Sequence, residues 1–250
     1  MKNFLSALLA AAGLLVLPGC EQDEVIPPVV PPPAPVDATL GMWFNVVNDT
    51  LPFLPFLSVL QDSLGHPVQM TAVRFYVSDV KALDDEGNLL AHYDGQHYLV
   101  DAADQDSIFL LGAIHANHVH ELRFNIGVES TANHVDPSLS SPPLNDASMW
   151  LDAAQGHRFL SAKGFTDVNN DGFYETNVNY GCGTDALLTE AHAFVHHDLQ
   201  AAEYFSAYVR VDVSQLFRGI NVATDNSPGP NAPTSVRMMQ NLAGAISGPL

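Results

Sequence analysis

The sequence contains little cysteine, with only Cys20 and Cys182 among its 250 residues. Cys20 directly follows an apolar amino-terminal segment and is predicted to carry lipid. Cys182 therefore has no disulfide partner within the chain. This count excludes a disulfide framework, although the leader sends the protein to an oxidising compartment. The thiol of Cys182 is then buried, reactive or a soft metal ligand.

Basic residues are also scarce, since nine Lys and Arg face 28 Asp and Glu and the formal net charge is −19. An acidic excess of this size argues against nucleic acid and anionic membrane surfaces as partners, because both repel a negatively charged protein. We therefore predict no nucleic-acid partner.

Long hydrophobic runs are limited to one at the amino terminus, residues 4–17. The run is shorter than the about 20 residues that span a bilayer, and with Lys2 before it the segment is typical of a secretory signal. It ends in Leu17-Pro18-Gly19-Cys20, which indicates a lipoprotein acylated on the cysteine. We predict a lipoprotein signal peptide over residues 1–19 and lipidation of Cys20. The alternative is an ordinary signal peptide with an incidental cysteine.

Residues 20–37 begin acidic and then become rich in proline. Such a segment favours extended polyproline II, and its reach from the lipid is on the order of 50 Å. We interpret it as a linker that lifts the domain off a membrane. Glu21 is not the aspartate that usually retains lipoproteins at the inner membrane. The expected location is therefore the cell envelope, lipid-anchored at the outer membrane and facing the periplasm or the cell surface.

Residues 38–250 show recurrent strand-like alternation with little helix. In residues 118–126, Leu122, Phe124 and Ile126 share one face of a strand. Residues 85–88 supply a hairpin turn. Further strands are predicted at 39–47, 71–83, 97–101, 173–179, 191–196 and 204–213. The fold class is all-β, a sandwich or barrel-like domain with long loops and minor helix.

An acidic loop follows the middle of the domain and matches the first part of a calcium-binding loop. Oxygen-bearing side chains occupy positions 1, 3 and 5, and Gly172 allows the sharp turn at position 6. The predicted ligands are Asp167, Asn169, Asp171, the carbonyl oxygen of Phe173, and Glu175. Position 12 is Val178, which cannot ligate, so we expect weak calcium binding with a Kd of roughly 10⁻⁴ to 10⁻³ M. The alternative is a turn that holds itself by side chain to backbone hydrogen bonds.

The sequence contains eleven histidines, and two of them have the spacing of metal ligands. His118 and His120 are two apart on a predicted strand, so both point to one side, about 6 to 7 Å apart. Two imidazoles at that spacing can bind one transition metal. Their parity with Leu122 places them at the rim of the core face. The alternative is that they are ordinary strand-end histidines. By contrast, His192 and His196 are about 13 Å apart along a strand and cannot share an ion without help.

Motifs for nucleophilic or phosphate chemistry are absent from the sequence. It has no Gly-x-Ser-x-Gly elbow, no phosphate-binding glycine loop and no His-Glu-x-x-His. We therefore predict that the protein is not an enzyme.

Several segments, in order and spacing, resemble the MbnP-like domain family of periplasmic proteins. These segments are LGMWFNVVN at 40–48, VRFYVSDV at 73–80, LRFNIGV at 122–128, MWLDAAQGHRF at 149–159 and VRVDVSQLF at 209–217. The resemblance covers about residues 39–247. It implies a β domain outside the cytoplasm, encoded beside a diheme cytochrome c peroxidase-like partner.

The resemblance also implies copper binding, in which the diheme partner oxidises a tryptophan to kynurenine that joins histidine ligands. The family's Trp-x-Trp positions hold Leu151 and Ala153 here, and Trp150 lies beside them. The tyrosine that follows the family's glycine is His157. The resemblance selects Trp150 or Trp43, together with His157, as positions for a copper site. The strand spacing described above adds His118 and His120.

Two functions follow from these patterns. The first is a cell-envelope lipoprotein with an MbnP-like metal-binding domain that binds copper and works with a diheme cytochrome c peroxidase-like protein. The alternative is a non-catalytic binding or structural envelope lipoprotein that is stabilised by calcium.

Overall fold

The computed structural model describes residues 33–249, and these fold around two β-sheets. In chain order the strands are β1 (Val36–Asn48), β2 (Leu51–Pro52), β3 (Val59–Gln61), β4 (Pro67–Leu83), β5 (Leu89–Asp101), β6 (Ile108–Ala116), β7 (His118–Ile126), β8 (Trp150–Asp152), β9 (Gly156–Thr166), β10 (Thr176–Gly183), β11 (Thr189–Asp198), β12 (Tyr204–Asp212) and β13 (Ile246–Ser247). The helices are α1 (Ser130–Asn133) and α2 (Pro233–Gly244), with short 3₁₀ turns at Pro137–Leu139, Ala147–Met149, Asp185–Leu187 and Val213–Gln215.

The first sheet has the order β13-β12-β1-β2, and β6 also pairs with β1. Its central pair, β1 and β12, is parallel, whereas β6 runs antiparallel to β1. The second sheet has the order β10-β9-β4-β7-β11, with β3 and β5 on β4 and β8 on β9. Two sheets and little helix make a sandwich-like domain, so the all-β prediction is confirmed.

The core forms where the inward faces of the two sheets meet. Alternate residues of β1, among them Leu40, Met42 and Phe44, are almost fully buried, as period-two side-chain alternation requires. The ring of Phe44 contacts Phe75 of β4 and Phe124 of β7 edge-on, with centroids 6.0 and 5.9 Å apart. This aromatic contact joins the two sheets.

One end of the sandwich gathers the start of β1, the β4–β5 turn and the β6–β7 turn. Val36 lies opposite Ala116 in the β1–β6 pair, and the side chain of Asn117 donates a hydrogen bond to the carbonyl oxygen of Pro33. Leu83, at the end of β4, lies opposite Glu121 of β7. The described chain therefore begins beside the turn that leads into His118.

The predicted signal peptide, the acylation of Cys20 and most of the predicted linker lie outside the described residues. Within them, β1 already begins at Val36, inside the last residues assigned to that linker. No helix in the described range of 33–249 has the length and apolar character needed to cross a membrane.

Candidate metal centre

Four side chains that could hold a metal ion meet at the end of the second sheet where β4 turns into β5 and β7 begins. Asp85 comes from the turn between β4 and β5, His118 and His120 from the start of β7, and His196 from the end of β11. Each offers one ligand atom, and these atoms all lie within 4.8 Å of one another. We refer to these four residues as the histidine cluster. The predicted pair His118 and His120 is thus brought together with two residues that the sequence did not connect to it.

A β-bulge brings His196 into the cluster. The β7–β11 pairing shifts its register between Phe194 and His197, and His196 has a φ of +46°. An extra residue in one strand redirects the side chains on either side of it. The ring of His196 accordingly lies 4.2 Å from the ring of His120 and 6.3 Å from the ring of His118, measured between centroids.

The start of β7 does not continue the alternation seen further along the strand. Val119, between the two histidines, is fully buried, and so is Leu122 three residues later. Strict alternation cannot bury both residues on one face. The side chains of His118 and His120 are each 22 % exposed, so an ion bound between them would be reached from solvent.

Two ring nitrogens in the cluster are buried and have no hydrogen-bond partner among the described residues: Nε2 of His118 and Nδ1 of His120. Nδ1 of His120 lies 2.8 Å from Oδ1 of Asp85, in a geometry that makes no hydrogen bond, and Nε2 of His118 lies 3.7 Å from Oδ2 of the same carboxylate. Both nitrogens therefore face Asp85 with their hydrogen-bonding capacity unused.

The other nitrogen of His118 is held by a second carboxylate. Nδ1 of His118 lies 2.8 Å from Oδ1 of Asp198, the residue opposite it on β11. When Nδ1–H donates to Asp198, the lone pair of Nε2 points into the cluster. Metal-binding histidines commonly donate their second ring N–H to a carboxylate in this way, which fixes the tautomer and makes the ligand nitrogen more basic.

His157 and Trp150 are not part of this cluster. Their rings contact each other, with centroids 4.7 Å apart, because β8 pairs with β9. His157 is fully buried, with Nδ1 2.9 Å from the carbonyl oxygen of Asn133 and Nε2 3.0 Å from that of Leu144. Backbone oxygens thus lie against both ring nitrogens. The indole N–H of Trp43 donates to the carbonyl oxygen of Gln105.

The predicted calcium loop brings three of its ligands together. Ligand atoms of Asp167, Asp171 and Glu175 lie within 4.8 Å of one another. The loop also bonds to itself, because the buried carboxylate of Asp167 accepts the backbone N–H groups of Asp171 and Gly172. Asn169 donates its side-chain N–H to Asp171, and the side chain of Phe173 is exposed. These contacts fit both the calcium site and the self-bonded turn, and both stay predictions.

A third group, Asp79, His92 and Asp94, lies on the β4–β5 hairpin and was not predicted. Its central carboxylate already has partners, since Lys81 Nζ lies 2.6 Å and His92 Nε2 2.5 Å from Asp79. Burial raises the pKa of Asp79, but the hydrogen bonds from Lys81 and His92 outweigh it and hold the pKa below 3.8. A lysine ammonium on the carboxylate competes with a metal ion, so the histidine cluster is the better site.

Comparison with known proteins identifies the family. The MbnP family model matches residues 44–238. The chain belongs to the MbnP family. A solved structure, MbnP from Methylosinus trichosporium, is similar over 72 % of this chain and 78 % of that chain, with 18 % identity and a TM-score of 0.49. No curated protein sequence gives a significant match. The match to the family model confirms the resemblance inferred from the sequence.

The MbnP family is associated with copper binding, and the histidine cluster has donors that suit copper. Imidazole nitrogens bind copper and zinc well, and one carboxylate completes a four-donor set. The unpartnered nitrogens of His118 and His120 are the observation that supports this fit, because they are buried and face the same carboxylate. Among the described residues of this MbnP-family chain, the histidine cluster is thus the group best placed to hold a metal ion.

Proposed function

We propose that this MbnP-family protein is a cell-envelope lipoprotein that binds one copper ion at the histidine cluster. The observation that carries the proposal is the pair of buried ring nitrogens, Nε2 of His118 and Nδ1 of His120, which face Asp85 without a hydrogen-bond partner. A buried polar atom left unpaired costs free energy, and a metal ion would remove that cost. Family membership supports copper as the ion.

The proposed role is binding and handling of copper, not catalysis. Asp85, His118, His120 and His196 together offer four ligand atoms. Metal sites without a catalytic role usually have all four coordination positions filled by protein ligands. Catalytic sites keep one position open for water or substrate. A four-donor cluster is therefore suited to storing or transferring the ion.

The proposed setting is the envelope, with a lipid anchor on Cys20 and a diheme cytochrome c peroxidase-like partner. The leader sequence supports the anchor and the family resemblance supports the partner. If the partner acts on this chain, a tryptophan is converted to kynurenine, with a gain of one oxygen and a loss of one carbon. Intact mass of protein from the native host tests this, with Trp150 and Trp43 as the first positions to map. An unchanged mass for both tryptophans contradicts it.

The copper proposal is tested by metal analysis of the mature protein purified from its host. We expect about one copper per chain in the wild type, as four ligands around one ion imply. The double variant His118→Ala/His120→Ala should lose it. The matched control, His115→Ala/His134→Ala, removes two exposed histidines outside the cluster and should keep its copper. Full copper in the first variant contradicts the proposal.

A second candidate function, stabilisation by calcium, is favoured by the three converging carboxylates of Asp167, Asp171 and Glu175. A ligand that binds only the folded state stabilises it by an amount that grows with the logarithm of one plus its concentration divided by Kd. With a Kd of roughly 10⁻⁴ to 10⁻³ M, 10 mM calcium should raise the melting temperature by several degrees above the value with chelator. The variant Asp171→Asn should lose most of this rise. Equal melting temperatures in the wild type contradict calcium binding.

A further inference from the structure

We infer that the outer face of the first sheet binds a neutral saccharide chain, which stacks on exposed aromatic rings and forms hydrogen bonds in a cavity beside them. This inference goes beyond the proposed metal binding and does not depend on it. Three features carry it: an exposed aromatic surface, the polar lining of the adjacent cavity, and the charge of the face.

The central strands of the first sheet turn aromatic side chains outward. Trp43 of β1 lies between two buried residues, Met42 and Phe44, so its side chain points away from the core. Tyr208 lies opposite Trp43 on β12, and the two rings meet edge to face with centroids 5.2 Å apart. The indole N–H of Trp43 donates to the carbonyl oxygen of Gln105, which holds the ring in place.

A third aromatic side chain extends this surface along β12. Tyr204 is 52 % exposed and lies four residues before Tyr208, which is about 13 Å along the strand. A Cβ on Gly41 would lie 2.7 Å from Oη of Tyr204, so the glycine makes room for Tyr204 to lie over the sheet. On the neighbouring strand β6, Ile108 and Leu110 are more than half exposed. We refer to the following residues as the aromatic face: Trp43, Tyr204, Tyr208, Ile108 and Leu110.

The aromatic face is unusual for the outside of a sandwich. The outward positions of sandwich strands are usually polar, because they face water. Contiguous exposed apolar side chains on a folded protein mark a surface that binds something. The aromatic face is therefore a candidate binding surface.

A cavity opens beside Tyr208, at one end of the aromatic face. Its volume is about 420 Å³, within the range of small-ligand sites, and its polar lining consists of Asn45, Asp49, Thr50, Tyr208 and Arg210. The hydroxyl of Tyr208 donates to Oδ1 of Asn45 over 3.1 Å, which fixes the amide so that its NH₂ group can donate to a ligand. The hydroxyl of Thr50 can donate or accept, and the carboxylate of Asp49 can accept. The cavity thus offers both donors and acceptors.

The aromatic face is uncharged, although the chain has a formal net charge of −19. Charged side chains near its two ends are paired, since His115 Nδ1 lies 2.8 Å from Asp37 and Arg210 Nη2 lies 3.3 Å from Asp212. The surface therefore complements a neutral ligand. An anionic ligand would find no attractive charge there and would be repelled by the acidic chain.

A saccharide combines the two chemistries that this surface offers. The C–H faces of a sugar ring are apolar and can stack on aromatic rings, whereas its hydroxyls can pair with amide, hydroxyl and carboxylate groups. A lipid surface would use the aromatic face but would leave the polar lining of the cavity unpaired. The distance of about 13 Å between the positions of Tyr204 and Tyr208 exceeds one sugar ring, so the surface suits an oligosaccharide.

The experiment measures binding of neutral hexasaccharides to the metal-free mature protein by isothermal titration calorimetry. The probes are cellohexaose, chitohexaose, maltohexaose and mannohexaose, and we expect at least one of them to bind and to change the tryptophan fluorescence. Tyr204→Ala should weaken this binding by about ten-fold, because apolar contact area is lost. Asn45→Ala should weaken it by about three-fold, because a hydrogen bond is lost. A thermal melt checks that each variant is folded.

Phe165→Ala is the matched control, because it removes a partly exposed aromatic ring from β9 of the second sheet and should bind as the wild type does. No binding of any of the four hexasaccharides to the wild type overturns the inference. Equal binding by the wild type, Tyr204→Ala and Asn45→Ala also overturns it.

Two other occupants of the aromatic face have distinct signatures. Binding of decaproline, or dimerisation in analytical ultracentrifugation, that is lost in Tyr204→Ala while no hexasaccharide binds would assign the face to a proline-rich segment or a second copy and overturn the inference. Failure of the copper proposal is recognised separately, because the saccharide titration is done without metal. His118→Ala/His120→Ala should bind the saccharide as the wild type does.

Discussion

At the scale of single residues, the orientation of one imidazole decides whether the cluster presents a lone pair to a metal. His118 is held by Asp198 on one side and faces Asp85 on the other. When Nδ1–H of His118 donates to the carboxylate of Asp198, the proton is kept on Nδ1 and Nε2 is left for the ion. Asp198 is thus a positioning residue for the proposed site.

The first prediction concerns Asp198→Ala. In the metal-free protein, ¹⁵N NMR of the imidazoles should show that His118 loses its preference for the Nδ1–H tautomer. Copper affinity should fall by about ten-fold. This is the lower end of the loss expected when a carboxylate that orients a ligand histidine is removed, because Asp198 is itself exposed to solvent. Asp198→Asn keeps a hydrogen-bond acceptor, so its copper affinity should lie between those of the wild type and Asp198→Ala. An unchanged tautomer in the alanine variant contradicts the role given to Asp198.

The second prediction concerns the thiol of Cys182. The residue is fully buried on β10, and burial raises the pKa of its thiol to about 12. Since the thiolate is the reactive form, a thiol reagent at pH 8 should not label Cys182 in the native protein, whereas it should label it fully in denaturant. Rapid labelling of the native protein would show instead that the thiol is accessible. Of the three roles that the sequence leaves open, the structure supports burial.

At the scale of elements, one carboxylate connects two loops. Asp62, which follows β3, accepts backbone N–H groups from Leu64, His66 and Val222, and its Oδ2 lies 2.8 Å from Nδ1 of His66. Val222 is far along the chain, after β12. A single buried side chain therefore ties the loop before β4 to the loop that precedes α2.

The third prediction is that Asp62→Ala lowers the free energy of unfolding by about 3 kcal/mol at pH 7, because several donors lose a charged acceptor. Burial raises the pKa of Asp62, but hydrogen bonds from His66, Leu64 and Val222 outweigh it and hold the pKa below 3.8. A lowered pKa means that this stabilisation is complete at pH values well above the unfolded-state pKa and is lost as pH falls through the folded-state value.

Urea unfolding of wild type and Asp62→Ala between pH 7 and pH 2 measures this effect. The difference between the two proteins should be constant from pH 7 to about pH 5 and shrink at the acid end, as linkage requires. The neutral variant Asp62→Asn serves as the control that keeps the size of the side chain. A difference that does not change with pH would mean that the charge of Asp62 contributes nothing.

The sequence predicts regular elements better than their interruptions. The predicted strand over residues 118–126 is β7 to the residue, because its apolar alternation is clear from Leu122 onward. The bulge at His196 was not predictable, since residues 191–196 alternate regularly and a positive φ is uncommon for histidine. That one irregular residue supplies the third imidazole.

At the scale of the whole molecule, the site depends on contacts between distant parts of the chain. His118 and His120 were found from their spacing alone, because two ligands on one strand are a local pattern. Asp85 and His196 were not, because only the pairing of β4, β7 and β11 brings them there. The acidic loop is also a local pattern, so it could be predicted from the sequence. His157, in contrast, was selected by resemblance to the family, and its ring nitrogens lie against backbone oxygens.

The location of the bound ion is the most direct test of this account. We would load the mature protein with copper, crystallise it and calculate an anomalous difference map at the copper absorption edge. We expect one strong peak about 2.0 Å from Nε2 of His118 and Nδ1 of His120, and within bonding reach of His196 and Asp85. A strong peak beside His157 and Trp150, with no density at the histidine cluster, would contradict it.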